Sequence, residues 1–419
     1  MRLAYLAQTL GVHLMLFISA SAIFPLFIKK LGGSDLQAML PASMVGLMLI
    51  LRIPISVLVA PAHGKRFLLW CWTLSSLPIG FVLLVSLWLG ARPLTIWIVL
   101  ASTFVVQLLA SAGTTFWFPL LYDVVPGRQL GRFFGNLRAI WGMAYFGLSV
   151  IAGIFLGKDP ELWKFCVVLG GVAILQLLRT PCVARIPVRP ASVMESTSWS
   201  WRDDVRYIFG RRDILIFCGY FMLLMFLTGF LVQPLVLYMK HLGFSTRDNT
   251  LIYAASVLGS VMTLVLAGIM VDRVGTRRVF IGVHIALSVL ALMIVLVGEL
   301  PMVCARPFMM VLQIMAGAAL AVAVLANITQ IFHLTPPSAK AVYMSIMVSV
   351  TMVGGTISPL IAGVILDSRW RQVSLVLGPI TLDVFQLLFM GVGLGLLLAM
   401  IILPFIQNVR PGCRSTHVA

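Results

Sequence analysis

The sequence predicts an all-α membrane protein whose twelve transmembrane helices form two pseudo-symmetric bundles of six. The 419-residue chain is 61% hydrophobic and only 10% charged, far outside the usage of soluble domains. Long runs without Asp, Glu, Lys or Arg fill it almost completely. A helix needs about 20 mainly apolar residues to cross a bilayer, whereas a lone β-segment in lipid would leave its backbone groups unpaired.

The uncharged runs follow one another with short polar interruptions. In chain order they are 3–28, 36–51, 67–91, 93–122, 139–157, 165–178, 214–239, 249–271, 279–298, 307–339, 341–366 and 384–409. The runs 36–51 and 165–178 reach spanning length if Arg52 and Arg179 belong to their helices. The first run continues past its Ala-x-Ala pattern, so we expect an uncleaved span there and not a signal peptide.

One long polar interruption, residues 185–213, divides the predicted spans six and six. We therefore expect an N-terminal bundle at 1–184, a cytoplasmic central loop at 185–213 and a C-terminal bundle at 214–419. Aromatic residues are interleaved with the charges of this loop. Such a segment fits an interfacial helix, and a partly ordered linker with tryptophan anchors explains it nearly as well.

The net charge of +17 indicates topology and not nucleic-acid binding, because Lys and Arg are scattered between the spans and form no cluster. With the N-terminus inside, cytoplasmic segments hold 19 basic residues and external segments hold 10. The positive-inside rule then places both termini in the cytoplasm. We expect an integral protein of a bacterial-type inner (plasma) membrane.

The two halves repeat with an offset of 211 residues. The loop after span two ends in PAHGKR at 61–66, and the loop after span eight is DRVGTRR at 272–278. A repeat of about 210 residues in a membrane protein is typical of a two-fold transporter with its site at the repeat interface.

The loop between spans eight and nine resembles the signature loop of the major facilitator superfamily. The matching positions are Gly268, Asp272, Arg273, Gly275, Arg277 and Arg278. Gly268 is expected to permit close helix approach, Gly275 a tight turn, and Asp272 to accept hydrogen bonds from a helix N-terminus. The resemblance implies the major facilitator fold and a cytoplasmic latch that is closed when the central cavity opens outward.

Other parts of the chain carry the resemblance less completely. The first-half loop keeps Gly64 and basic residues but has Pro61 where the second half has its acid, so we expect that latch to be weak. Arg132, at the start of span five, is the expected partner of Asp272. Span eleven resembles the gate helix of the superfamily through Gly355 and Pro359, which allow bending and close packing.

Polar residues inside the spans are few. Arg52 and Arg138 are the clearest intramembrane charges and are functional candidates by default, with snorkelling to the headgroups as the alternative. Spans four, seven and ten line the central cavity in the superfamily, so the resemblance implies the cavity candidates Gln107, Gln233, Gln313 and Asn327. For each amide, an interhelical hydrogen bond is the other interpretation. The absence of an acidic intramembrane pair in the sequence favours a neutral, amphiphilic or anionic substrate.

These features predict a secondary active transporter that moves a small organic solute by alternating access. The expected partners are the lipid bilayer and a small-molecule substrate, with a coupling proton or ion left open and no nucleic acid. We expect no cofactor, no metal and no enzymatic activity, and the lack of a G-x-x-x-x-G-K-[ST] loop disfavours an ATP-driven pump. The alternative is a transport-inactive membrane sensor or scaffold, supported by the degraded first latch and the charge-poor interior.

Overall fold

The computed structural model describes residues 1–59, 63–125, 130–187, 201–335, 340–377 and 380–409. In chain order the helices are α1 (Arg2–Ser19), α2 (Ile23–Lys30), α3 (Asp35–Leu58), α4 (Gly64–Leu74), α5 (Leu77–Leu89), α6 (Pro93–Thr114), α7 (Trp117–Val124), α8 (Leu130–Leu156), α9 (Leu162–Ala184), α10 (Trp201–Gly210), α11 (Arg212–Val232), α12 (Leu235–His241), α13 (Thr246–Val274), α14 (Thr276–Leu296), α15 (Met302–Leu334), α16 (Lys340–Asp367) and α17 (Val384–Ala399). Short 3-10 helices lie at Val297–Glu299, Arg369–Gln372 and Met400–Phe405, and two strands are β1 (Leu375–Leu377) and β2 (Ile380–Leu382).

The apolar helices match the predicted spans in number and order. Within the described ranges, eleven are long and apolar enough to cross a membrane, or twelve when the bent pair Thr246–Leu264 and Leu266–Val274 counts as one span. The predicted fold class is therefore confirmed. The strands are an addition that the sequence did not predict: β1 pairs antiparallel with β2, with Leu375 opposite Leu382, in a segment rich in aliphatic and β-branched residues.

Spans one and seven are each built from two helices, with breaks at equivalent positions of the two halves. Span seven breaks at Gln233–Pro234, because a proline has no backbone N–H and disfavours the helical conformation of the residue before it. Span one breaks at residues 20–22, which lie within two positions of the 211-residue offset, and Pro25 lies in the first turn of the helix that follows. Each break leaves backbone carbonyls without their helical partners.

The turn after each short helix also occurs twice. The sequences Leu-Gly-x-Ser at 31–34 and 242–245 lie 211 residues apart, and Gly32 and Gly243 both adopt positive φ, +85° and +89°. In both copies the serine side chain accepts a hydrogen bond from the backbone N–H three residues later, at 3.2 and 3.1 Å. The internal repeat is therefore structural as well as sequential, and it places α3 and α13 at equivalent positions.

The chain divides into two compact units. Unit 1 comprises Met1–Ser196, Val232–Ala254 and Thr356–Ser374, and unit 2 comprises Thr197–Leu231, Ala255–Gly355 and Leu375–Ala419. Unit 1 has an aromatic core that includes Trp72, Trp117 and Phe133. Unit 2 has aromatic packing around Phe217 and Phe280. Unit 1 thus joins the six N-terminal spans to one end of spans seven, eight and eleven, and the predicted boundaries at 184 and 214 stay a prediction.

Large apolar side chains cover much of the outer surface. Leu58, Trp88 and Val303 are more than 80% exposed. Such apolar exposure is unusual in a water-soluble protein and is expected where lipid is the solvent.

Candidate transport site

The break in span one is bridged to the break in span seven by a side chain. The Gln233 Nε2 donates a hydrogen bond of 3.1 Å to the carbonyl oxygen of Ser19, the last residue of α1. Both residues belong to unit 1. A carbonyl that helix geometry leaves free is thus paired by an amide from the other half of the sequence.

Two tyrosines complete this arrangement within unit 1. The Tyr145 hydroxyl, on α8, donates to the carbonyl of Ala20 at 3.1 Å and is also bonded to the Ser149 side chain. The Tyr253 hydroxyl, on α13, donates to the carbonyl of Val232, the last residue of α11. We name Ser19, Ala20, Tyr145, Val232, Gln233 and Tyr253 the break cluster.

The hydroxyl donors of the break cluster are buried and already hydrogen-bonded to backbone carbonyls, whereas its amide acceptor, the Gln233 Oε1, is not bonded by the described residues. Tyr145 is 4% exposed and Tyr253 is 6% exposed, whereas Gln233 is half-buried and Ala20 is exposed. Among the described residues, no donor reaches the Gln233 Oε1. Hydroxyl and amide groups both donate and accept hydrogen bonds, and no member of the cluster is ionisable near neutral pH. The chemistry suits a neutral solute that carries hydroxyl or amide groups.

Two further candidates lie on the contact between α3 and α6. The Gln107 Nε2 donates to the carbonyl of Pro41 at 2.8 Å, while its Oε1 is buried without a partner among the described residues. The Arg52 Nε donates to the Ser111 Oγ at 2.8 Å. The interhelical hydrogen bond that was the alternative for Gln107 is therefore present, and Arg52 is bonded inside its own half.

The other three cavity candidates are not brought together by contacts of the described residues. Arg138 is half-buried on α8. Gln313 and Asn327, both on α15, are 6% and 1% exposed. Neither side-chain atom of Asn327 has a partner within the described part of the chain. A buried amide with both atoms unpaired is costly, so Asn327 stays a candidate for ligand contact.

The signature loop is present at the end of α13 and the start of α14. Gly275 adopts φ +89°, which confirms the predicted tight turn, and the backbone N–H of Arg277 donates to the Asn408 Oδ1 at 3.1 Å. Asp272, Arg273 and Arg278 are exposed. The expected partner Arg132 belongs to α8, but its side chain lies outside the described residues, so the cytoplasmic latch stays a prediction.

The gate glycines do not all behave as expected. A Cβ at Gly268 would meet only the Leu325 Cδ2, at 4.0 Å, so within the described residues the predicted close approach at Gly268 is wrong. Next to Gly355, a tight contact of α16 is at Gly354, where a Cβ would lie 1.9 Å from the Met222 carbonyl, while Gly355 leaves 3.6 Å.

The remaining gate candidates lie at helix ends and interiors. Gly64 begins α4, and a Cβ there would lie 2.5 Å from the Phe116 ring. Pro359 lies inside α16, which continues through it to Asp367.

A buried cation that sequence reasoning did not single out lies in unit 1. Arg179, on α9, is 5% exposed, and its guanidinium carbon lies 3.1 Å from the ring centre of Trp72 and 5.2 Å from that of Trp117. Its Nη2 donates to the Gln8 Oε1 at 3.2 Å. The space exists because position 11 is glycine: a Cβ at Gly11 would lie 1.9 Å from the Arg179 Cδ. From the sequence, Arg179 was only a residue that lengthens a short span.

The break-cluster tyrosines were also missed, and a signal for their location existed. The Gln233-Pro234 dipeptide inside an apolar run marks an interrupted helix, and the Ser-Ala-Ser-Ala stretch before Pro25 marks a weaker one at the equivalent position. Paired interruptions in two repeats point to a transport site.

Comparison with known proteins supports the fold. Residues 215–411 match the family model described as Major Facilitator Superfamily. The solved structure of the nucleoside transporter NupG has a TM-score of 0.68 at 13% identity, covering 97% of this chain and 99% of that one. A D-xylose-proton symporter has a TM-score of 0.73 at 12% identity, with 97% of each chain covered. The xylose transporter XylE from E. coli, in an inward open conformation, has a TM-score of 0.69 at 11% identity, covering 98% of this chain and 96% of that one.

The resemblance to the major facilitator superfamily is confirmed. At identities this low the structural matches show the major facilitator fold alone. A search of curated protein sequences found no match. The solved structures that share this fold are transporters by their names, and neither they nor the family model over residues 215–411 identifies a subfamily.

Proposed function

We propose that this protein is a secondary active transporter that moves a small, neutral, hydrogen-bonding organic solute across a bacterial-type inner membrane by alternating access. The observation that carries the proposal is the break cluster, in which neutral donors meet the freed carbonyls of two interrupted spans. Paired broken helices at equivalent positions of two repeats are where such transporters bind their substrates.

The absence of charge in the cluster favours the substrate class. A site built from amide, hydroxyl and carbonyl groups binds a solute that offers hydroxyl or amide groups, whereas a charged solute would need an opposite charge to offset its desolvation. Nucleosides and D-xylose, which the matched transporters carry by their names, are both of this neutral class. The sugar and nucleoside classes are therefore the first to test.

The bridging bond suggests how binding is coupled to movement. Gln233 belongs to the second half of the sequence and Ser19 to the first. A solute hydroxyl that donates to the Gln233 Oε1 would strengthen the bridge. Binding energy that differs between two conformations is what shifts their populations.

The topology completes the proposal. Both termini face the cytoplasm, spans one to six form the first bundle at 1–184 and spans seven to twelve the second at 214–419.

Uptake into proteoliposomes tests the proposal directly. Purified protein should take up a labelled pentose or nucleoside and exclude the charged relatives glucuronate and nucleoside monophosphate. Tyr253→Phe removes one cluster hydroxyl and should raise KM about 2- to 13-fold, the range for a lost hydrogen bond of about 0.5–1.5 kcal/mol. Gln233→Leu removes both amide atoms and should raise KM further. Gln372→Leu, at an exposed position, is the matched control and should behave as the wild type.

Three results would contradict this assignment. Uptake of charged solutes only would reject the substrate class. A ligand-induced thermal shift without any flux would instead support the sensor or scaffold alternative. Cluster variants that match Gln372→Leu in KM would remove the break cluster as the site.

A further inference from the structure

A second polar arrangement in unit 1 ties the start of α3 to the end of α16. The Asp367 carboxylate accepts hydrogen bonds from the backbone N–H groups of Asp35 and Leu36, at 2.8 and 2.9 Å. These N–H groups belong to the first turn of α3 and have no helical partner, and the helix dipole favours an anion there. Residue 367 thus caps a helix more than 330 positions away in the sequence.

The Asp35 side chain adds ion pairs to this contact. Its carboxylate lies 2.8 Å from the Lys29 Nζ and 2.7 Å from the Arg371 Nη1. The Asp35 side chain is 4% exposed, while that of Arg371 is 52% exposed. A buried carboxylate depends on such cations, because an unpaired buried charge is strongly destabilising, and Lys240 also interacts electrostatically with Asp35.

Close helix packing accompanies the charges. A Cβ at Gly363 would lie 2.8 Å from the Leu36 Cα, and a Cβ at Gly46 would lie 1.6 Å from the Thr356 Oγ1. The helices α3 and α16 therefore touch along about three turns, from the polar end inward. We name Lys29, Asp35, Asp367 and Arg371 the end latch.

The equivalent contact of the repeat is a hydrogen bond between backbone groups. The backbone N–H of Thr246, at the start of α13, donates to the Lys158 carbonyl at 3.0 Å, and a Cβ at Gly153 would lie 3.2 Å from Thr250. Position 246 follows position 35 by 211 residues. One of the two equivalent helix starts is thus held by a carbonyl and the other by a carboxylate with two ion pairs, which makes the end latch the contact that charge can control.

We infer that the end latch is the external gate of the transporter. This inference rests on the proposed function. The positive-inside rule places this end of the helices outside, and the latch joins span two of the first half to span eleven of the second. Alternating access requires those two spans to separate when the cavity opens outward. The latch therefore stabilises the inward-open state, and Asp367 is the residue that positions it.

The test uses the full-length protein with spin labels at positions 92 and 370, on a background without native cysteines. Arg92 and Trp370 are exposed and belong to different halves of the sequence at the predicted external end. Asp367→Asn should shift the ratio of long to short distances at least tenfold toward long, about 1.4 kcal/mol, because the amide lacks the charge that the helix start favours. Arg371→Gln should shift it in the same direction.

Asp159→Asn is the matched control. Asp159 pairs with Lys30 at 2.9 Å, at the same end and with the same chemistry, but both residues belong to the first half. This variant should leave the distance distribution and the uptake rate unchanged. Size-exclusion profiles of all three variants check that each is folded.

The outcomes separate the latch from the proposed function. If Asp367→Asn and Arg371→Gln both give the same label distances as Asp159→Asn, the end latch is not the external gate, whether or not the protein transports a solute. If the distances shift but wild-type protein moves no solute, the gate stands as a conformational switch and the transport proposal fails. If distances shift and uptake by Asp367→Asn changes while Asp159→Asn keeps the wild-type rate, both are supported.

Discussion

Replacing Gly11 with alanine tests whether the buried guanidinium of Arg179 is held where the structure places it. A Cβ at position 11 would lie 1.9 Å from the Arg179 Cδ, 2.4 Å from its Nε and 2.6 Å from its Nη1. All three distances are shorter than any real carbon contact, so the arginine side chain must move. It would then leave the face of Trp72 and the Gln8 Oε1, its two described anchors.

The cost follows from those two contacts. A desolvated cation–π contact contributes about 2 kcal/mol or more, and a hydrogen bond to a charged group contributes about 1.5–3 kcal/mol. A flexible side chain recovers part of this elsewhere, because the guanidinium can snorkel toward the headgroups. We expect Gly11→Ala to destabilise the protein by about 2–4 kcal/mol, which lowers the unfolding temperature of a chain of 419 residues by about 2–5 °C.

Thermal unfolding in detergent, followed by tryptophan fluorescence, measures this cost. Gly80→Ala is the matched control, since a Cβ at Gly80 meets nothing within 4 Å. The decisive measurement is Gly11→Ala in an Arg179→Ala background, where the obstructing atoms are gone and the cost should fall below about 1 kcal/mol. An equal cost in both backgrounds, or an unfolding temperature for Gly11→Ala that matches Gly80→Ala, would refute the assignment of Arg179 to this space.

Two further predictions concern sidedness and the cytoplasmic latch. On a cysteine-free background, a cysteine at Lys158 should react with an impermeant maleimide from outside and one at Arg277 should not. The reason is that the distribution of basic residues predicts that Arg277 lies on the cytoplasmic side. The reverse labelling would exchange the two sides of the membrane for every gate named above. Asp272→Asn should slow uptake and shift the resting population toward inward-open without unfolding the protein, because an amide lacks the negative charge favoured at a helix N-terminus. Unchanged distances between labels on the 4–5 and 8–9 loops, with normal uptake, would show that Asp272 forms no latch.

The spans could be predicted because the composition along the chain is enough to identify them. Length and the absence of charge decide whether a helix can cross the bilayer. The condition set for the two short runs is met, since Arg52 lies in α3 and Arg179 in α9. The turn at Gly275 was equally accessible, since a glycine between two charged helix ends marks positive φ.

The contacts that define the candidate site could not be predicted from local pattern. The end latch joins residues that are 336 positions apart. In the sequence, Asp35 follows a serine and therefore indicates only an ordinary helix start. Arg179 appears alone in sequence because its partners are aromatic rings and not acids. Gly268 was misjudged for the converse reason: a family motif implied close packing, whereas the nearest described atom leaves room for a methyl group.

The positions of the acids suggest how the two conformations are balanced. The repeat supplies the same turn twice, but the start of α3 is capped by the carboxylate of Asp367, on a distant helix, whereas the start of α13 donates to the Lys158 carbonyl. At the predicted cytoplasmic end, the second-half loop has Asp272 whereas the first-half loop has Pro61. The predicted external end therefore has Asp367, and the predicted cytoplasmic end has Asp272, as an acid available to cap a helix start across the halves. The external carboxylate would favour the inward-open state and the cytoplasmic one the outward-open state. Because both would act through the same interaction, of similar magnitude, neither state need dominate, and the small difference in solute affinity between them can decide which is populated.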